Sequence, residues 1–245
     1  MKTTISQGNA LIVGANRGIG LGFATKLAQD PNFARIYATY RSQEAAVELL
    51  DLAGQEPERI CCLQVDATNE AQIAQATASI REEVDKLHLV VNCVGMLHQD
   101  NLQPEKSLKS INSDNLLRYF QINSIPTLSL AKHLLPLFRH DERSILAAIS
   151  AKVGSIGDNQ LGGWYGYRAS KAALNMFMRN IALEYRRTSP RTIAVVLHPG
   201  TTDTRLSQPF QKNVPANKLF SVERTVAQLL EVIENLEEEI GRAHV

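Results

Sequence analysis

The sequence has almost no excess of charge of either sign: 26 lysines and arginines face 25 acids, leaving a formal net charge of +1 over 245 residues. It also lacks any block of about five or six like charges. The chain therefore offers no general field to nucleic acid or to an anionic membrane, and small, locally recognised partners are expected. Cysteine is scarce. Cys61, Cys62 and Cys93 are odd in number and lack metal-ligand spacing, and two of them sit in an apolar run, so they read as plain core thiols and no metal is expected. No apolar run is long enough to span a bilayer, and Met1 to Asn9 is short and polar, without the charged start and apolar stretch of a signal peptide. The expected compartment is the cytoplasm. Low-complexity linkers and internal repeats are missing as well, which favours one compact domain over residues 1–245.

What is present is an alternation. Short apolar runs rich in β-branched residues occupy Ala10 to Val13, Arg35 to Thr39, Ile60 to Val65, Leu89 to Asn92, Ser144 to Ile149 and Thr192 to Leu197. Helical patterns cover Ile19 to Gln29, Glu70 to Lys86, Asp114 to Leu135, Tyr165 to Arg187 and Val222 to Leu236. Continuous apolar strands separated by helices are the mark of βαβ units, so the chain predicts an α/β, Rossmann-type, doubly wound parallel sheet with helices on both faces. Six strands are read. Two long irregular stretches, Gly95 to Ser113 and Pro199 to Ser221, follow strand ends, where such a sheet places its ligand crevice.

The first strand runs into Gly14-Ala15-Asn16-Arg17-Gly18-Ile19-Gly20 and then a helix. Glycines there let the backbone turn tightly and approach a pyrophosphate at a helix N-terminus, which points to a dinucleotide. In NAD sites an acid about 20 residues further on receives the ribose hydroxyls. Here the second strand ends Thr39-Tyr40-Arg41-Ser42, with no carboxylate. Arg41 and Arg17 offer guanidiniums to a 2′-phosphate instead, which favours NADP(H) over NAD(H).

Tyr167 and Lys171 stand four apart on one helix, where side chains meet. A neighbouring cation favours the phenolate and brings a phenol toward the working pH range, so Tyr167 is a candidate general acid or base. The glycine turn, the stretch Asn92-Cys93-Val94-Gly95 and the Tyr167 to Lys171 segment, in that order, resemble the short-chain dehydrogenase/reductase family. Val153 to Asn159, Gly162 to Tyr165 and Tyr167 to Asn175 resemble its C-factor and sniffer-like carbonyl reductases.

The resemblance implies that Tyr167 donates a proton, that Lys171 lowers its pKa and holds the nicotinamide ribose, and that Asn123 anchors a water relay. It implies that Asp66, with Ala67 beside it, meets the adenine amine, although aspartate at that place is also a favoured helix cap. Asn92, Val94 and Gly95 would support the adenine ribose and steady the sheet. Pro199, Gly200, Thr202 and Thr204 would reach the carboxamide and pyrophosphate, and His198 is structural. The place usual for the family's substrate-contacting serine is Ala151 here. Ser150, one residue earlier, and Ser155 are the candidates, with Ser150 preferred. Leu97, His98, Ser155, Ile156, Leu161, Trp164 and the Leu206 to Phe220 loop would wall the pocket.

The implied activity is hydride transfer between NADP(H) and a small carbonyl or alcohol substrate. The alternative is a non-enzymatic NADP(H)-binding regulator of C-factor type. A homodimer or homotetramer is implied, packed through the two long helices. A seventh strand is usual after the last helix, but the ending Glu238 to Val245 leaves it very short or missing.

Overall fold

The computed structural model describes residues 7–99 and 101–237, so the question of a seventh strand in Glu238 to Val245 falls outside the described residues. Strands β1 (Gly8–Val13), β2 (Phe33–Tyr40), β3 (Ile60–Gln64), β4 (Leu89–Asn92), β5 (Ser144–Ile149) and β6 (Thr192–Leu197) form one parallel sheet. Their order is β3-β2-β1-β4-β5-β6. Among the described residues, seven α-helices connect and cover them: α1 (Gly18–Ala28), α2 (Val47–Gln55), α3 (Glu70–Glu83), α4 (Ser113–Asn123), α5 (Ile125–Phe138), α6 (Tyr165–Thr188) and α7 (Val222–Glu234).

Successive strand residues point to opposite faces, and here both faces are apolar. Ala10, Ile12, Ile36, Val91, Ala147 and Val195 pack on one side with side chains of α1 and α7, whereas Leu11, Val13, Tyr37, Val90 and Leu146 pack on the other with those of α3, α5 and α6. Two cores therefore sandwich the sheet. The strand order reverses between β1 and β4, so the loops after these strands diverge and open a crevice at the carboxyl edge.

Three elements differ from the sequence reading. The stretch expected as one helix from Asp114 to Leu135 is two, broken at Ser124 (φ −126°, ψ −56°). Pro126 causes this, since it has no N–H for the Ile122 carbonyl and its ring crowds the preceding turn. Helix α2 was not anticipated, because only Leu49 of its nine residues is buried and its apolar signal is correspondingly weak. The loop after β6 contains a two-residue strand, β7 (Thr201–Thr202), paired in parallel with β8 (Leu219–Phe220). Burial pushes the cysteine thiols up, Cys62 to about 11, and all three are half-buried, packed against the two cores instead of fully inside them.

Candidate active site

The turn after β1 uses its glycines for different reasons. Gly14 (φ +79°) and Gly18 (φ +53°) take left-handed backbone that side chains disfavour. Gly20 is needed for space, since a Cβ there would stand 2.1 Å from the Gly14 carbonyl oxygen. Thr39 Oγ1 accepts the Gly14 N–H at 3.0 Å, and Asn16 donates to the Ala45 carbonyl at 3.1 Å, so β2 and the segment after it hold the turn. Ile19 packs into the core below. The first turn of α1 has neither an acidic residue nor a side-chain cap. Its leading N–H groups thus remain available to an anion, and this donor set fits a dinucleotide pyrophosphate.

Beside the turn stand three arginines. The Arg17 guanidinium is held below its ordinary value, first by partial burial and then by the charges of Arg205 and Arg41. Arg205 was not among the sequence candidates. It follows Thr204, whose methyl group lies 3.3 Å from the Cβ position of Gly18, and its carbonyl accepts a 3.0 Å hydrogen bond from His98. Nothing in local spacing reveals that a loop after β6 returns to the first turn of the chain. Asp66 belongs to the same region: desolvation pushes its carboxyl up, but hydrogen bonds from Thr68 and the charges of Arg41 and Arg118 together hold it below its ordinary value. The cap of α3 is Asn69, not Asp66. Ala67 is buried beside it.

The proton-transfer candidates meet at the other end of the crevice. Tyr167 is 6% exposed and Lys171 3%, with the lysine Nζ 5.9 Å from the phenol ring centroid. Nζ donates to the Ile149 carbonyl at 2.8 Å. Burial pushes the phenol above its ordinary value and the ammonium down to about 8. The phenol thus lies above its ordinary value, not below it as expected, because desolvation favours the neutral form of each group.

Asn123, the last residue of α4, clamps the Met96 peptide from both sides, accepting its N–H at 2.7 Å and donating to its carbonyl at 2.9 Å, and also donates to Ser170 Oγ at 3.0 Å. It thereby ties the loop after β4 to α6. Gly95 fits between Asn123 and Lys171, where a Cβ would meet Nζ at 3.6 Å. Asn92 bonds Thr127 Oγ1 at 2.9 Å and the Val94 N–H at 3.0 Å, bracing the end of β4, while Val94 covers Gly14.

The two serine candidates have different surroundings. Its hydroxyl donates to Asn175 Oδ1 at 2.7 Å, whereas Ala151 packs in the apolar cluster around Tyr167. The Ser155 hydroxyl accepts a long 3.4 Å bond from the Asp158 N–H, and the residue follows Gly154, which lies flush against Lys171.

Tyr167 meets Tyr119 and Trp164 edge-on at 6.3 and 6.2 Å, and Trp164 meets Phe210 at 5.0 Å. Leu97 and Leu206 complete this apolar surround. Ile156 and Leu161, expected as pocket walls, stand 86% and 91% exposed. After β6, Gly200 (φ +68°) rests on the Phe220 ring. Thr202 is buried, bonding the Pro199 carbonyl at 3.2 Å and Thr225 at 3.0 Å, so it braces the loop while Thr204 lies on the glycine turn. His198 accepts the Lys152 N–H at 3.3 Å and is kept below its ordinary value by burial, as befits a structural residue.

A glycine turn and a tyrosine-lysine pair facing one crevice of a doubly wound sheet define an oxidoreductase of the nicotinamide-dependent kind. The short chain dehydrogenase model matches residues 8–215, and the chain belongs to that family. Its backbone is similar to NADPH-bound carbonyl reductase from chicken fatty liver, with a TM-score of 0.84 and 28% identity over 97% of this chain and 94% of that one. It is similar also to the carbonyl reductase Sniffer of D. melanogaster, with a TM-score of 0.83 and 26% identity over 96% and 94%. In sequence it is 33% identical over 103 residues to the C-signal of Myxococcus xanthus, covering 42% of this chain and 61% of that protein. No helix of the described residues is long and apolar enough to cross a membrane.

Proposed function

We propose that this chain is an NADP(H)-dependent carbonyl reductase, able to run in reverse as an alcohol dehydrogenase. The observation that carries the reading is Tyr167, buried with Lys171 in the same crevice that the glycine turn and the arginines face. Gly14, Asn16, Gly18, Ile19 and Gly20 would hold the pyrophosphate, and Arg17 and Arg41 the 2′-phosphate. Asp66 and Ala67 would meet the adenine, Asn92, Val94 and Gly95 its ribose, and Pro199, Gly200, Thr202 and Thr204 the nicotinamide end.

NADPH, when bound, supplies a hydride to a carbonyl carbon. Tyr167 gives its proton to the oxygen as alkoxide character develops, and its raised pKa keeps that proton in place until then. Ser155, with Tyr167, holds the oxygen by hydrogen bonds that strengthen as charge builds. Lys171 anchors the ribose, and Asn123 positions the relay that returns a proton to the centre. The surrounding ring of Leu97, Trp164, Leu206 and Phe210 excludes water and accepts an apolar carbonyl compound.

Fluorescence titration tests the cofactor half. NADPH is expected to bind more tightly than NADH, and Arg41→Ala to bring the two together. Equal binding of both by the wild type overturns the preference. Turnover tests the other half, since Tyr167→Phe is expected to abolish carbonyl reduction with NADPH affinity intact. Tight NADPH binding with no turnover of any carbonyl points instead to a regulatory nucleotide sensor.

A further inference from the structure

Helix α6, which carries both Tyr167 and Lys171, starts without a cap of its own. Its N-cap residue is Trp164, held in the left-handed region (φ +52°) and offering no side-chain hydrogen bond. That conformation is unfavourable for a residue with a side chain, and the first N–H groups of a helix need partners from somewhere. Both needs are met by Glu105, in the loop after β4. Its backbone carbonyl accepts the Trp164 N–H, and its Oε2 accepts the Gly166 N–H at 3.1 Å.

Glu105 is 3% exposed, and its Oε1 is a buried side-chain oxygen with no hydrogen-bond partner among the described residues. Burying a carboxyl group is costly without compensation, and the N-terminal end of a long helix is a place that provides it. Gly166 leaves room for the contact, since a Cβ there would stand 3.0 Å from Oε1 and 2.3 Å from the Tyr119 ring. Tyr119 is fully buried, donates to the Leu97 carbonyl at 2.7 Å and supports the Tyr167 ring. Glu105 thus grips the helix one residue before Tyr167, from the same loop that supplies Leu97 and His98 to the site.

We propose that Glu105 is a positioning residue for the proton-transfer centre: by capping α6 from the β4 loop it fixes the start of the helix and the aim of Tyr167 at the substrate oxygen. This rests on the carbonyl-reductase reading. Among the described residues Glu105 makes no hydrogen bond to the glycine turn or to Arg17, Arg41 and Arg205, so its expected effect is on kcat more than on cofactor affinity.

The test compares Glu105→Gln, which keeps an oxygen for the Gly166 N–H, with Glu105→Met, which has similar bulk and no such acceptor. Glu105→Met leaves the buried Gly166 N–H without its acceptor, so it is expected to melt at a lower temperature than wild type while still folding. If Glu105 merely fills space, both variants keep their activity. If it positions Tyr167, Glu105→Met loses roughly 10²-fold in kcat, the scale of a misplaced catalytic group. Its NADPH affinity holds, and Glu105→Gln recovers to within about three-fold of wild type in kcat.

Trp164 is the only tryptophan in the chain, so its emission reads the start of α6 without any turnover. It is expected to shift in Glu105→Met and to stay in place in Glu105→Gln. Full kcat in Glu105→Met, equal losses in both variants, a parallel loss of NADPH affinity or unchanged Trp164 emission in Glu105→Met would overturn the proposal. A wild type that reduces no carbonyl removes the functional reading, and the emission comparison still decides whether Glu105 sets the helix start.

Discussion

Lys171 makes the pH dependence of the cofactor-free protein readable at a single residue. Burial lowers its pKa from 10.5 to about 8. Between those values the unfolded chain holds a proton that the folded chain has released, so stability rises with pH across the window. Below it the folded protein carries a buried charge at a cost of roughly 3 kcal/mol, taking about 1.4 kcal/mol per pKa unit. Lys171→Met removes that cost and leaves the Ile149 carbonyl without its donor, a loss of about 1 kcal/mol. The variant is therefore expected to exceed wild type in stability at neutral pH and to lose that advantage by about pH 10, measured by urea unfolding at both pH values. Residues of this kind were legible where chemistry imposes a local spacing, as in the glycine turn and the Tyr167–Lys171 pair. Arg205 and Glu105 were not, because each acts on an element far away in the chain, and the bond of Ser150 to Asn175 was not, because the direction of a side chain at a strand end depends on its partner.

The secondary-structure elements explain a different share of the outcome. Apolar runs buried on both faces identified all six strands of the main sheet, since few other environments accept so continuous a pattern. Helix α2 and the β7–β8 pair escaped notice because one buried leucine and two-residue strands carry no usable period. The break between α4 and α5 has a consequence of its own. Ser124 is completely buried there, and its hydroxyl donates to the Ser170 carbonyl at 2.7 Å. Ser124→Ala is expected to destabilise the protein by about 1–2 kcal/mol, because that carbonyl loses its side-chain donor in the interior. A thermal denaturation series, with Ser113→Ala at the exposed start of α4 as the control, checks it.

For the molecule as a whole, we propose a homodimer or homotetramer packed through α4, α5 and α6. Leu117, Ile125, Met176 and Leu183 stand between 36% and 61% exposed on these helices, and Met176 and Leu183 share one face of α6. Light scattering is expected to give a multiple of the 27.1 kDa chain, and the double change Met176→Glu with Leu183→Glu to return it to the monomer. A monomeric wild type rejects the proposal.

The arginine cluster bears on a quantity that neither affinity nor fold describes, the speed of capture. With Arg17, Arg41 and Arg205 gathered at one crevice of a chain whose net charge is only +1, the molecule's field is far from uniform. A dinucleotide arriving from solution is drawn toward that mouth before any hydrogen bond forms. Stopped-flow association rates for NADPH should fall as salt rises from about 0.01 to 0.15 M, over which the screening length contracts from about 30 to 8 Å. Dissociation should change much less. A nearly neutral protein would then meet its anionic ligand with the kinetics of a strongly basic one.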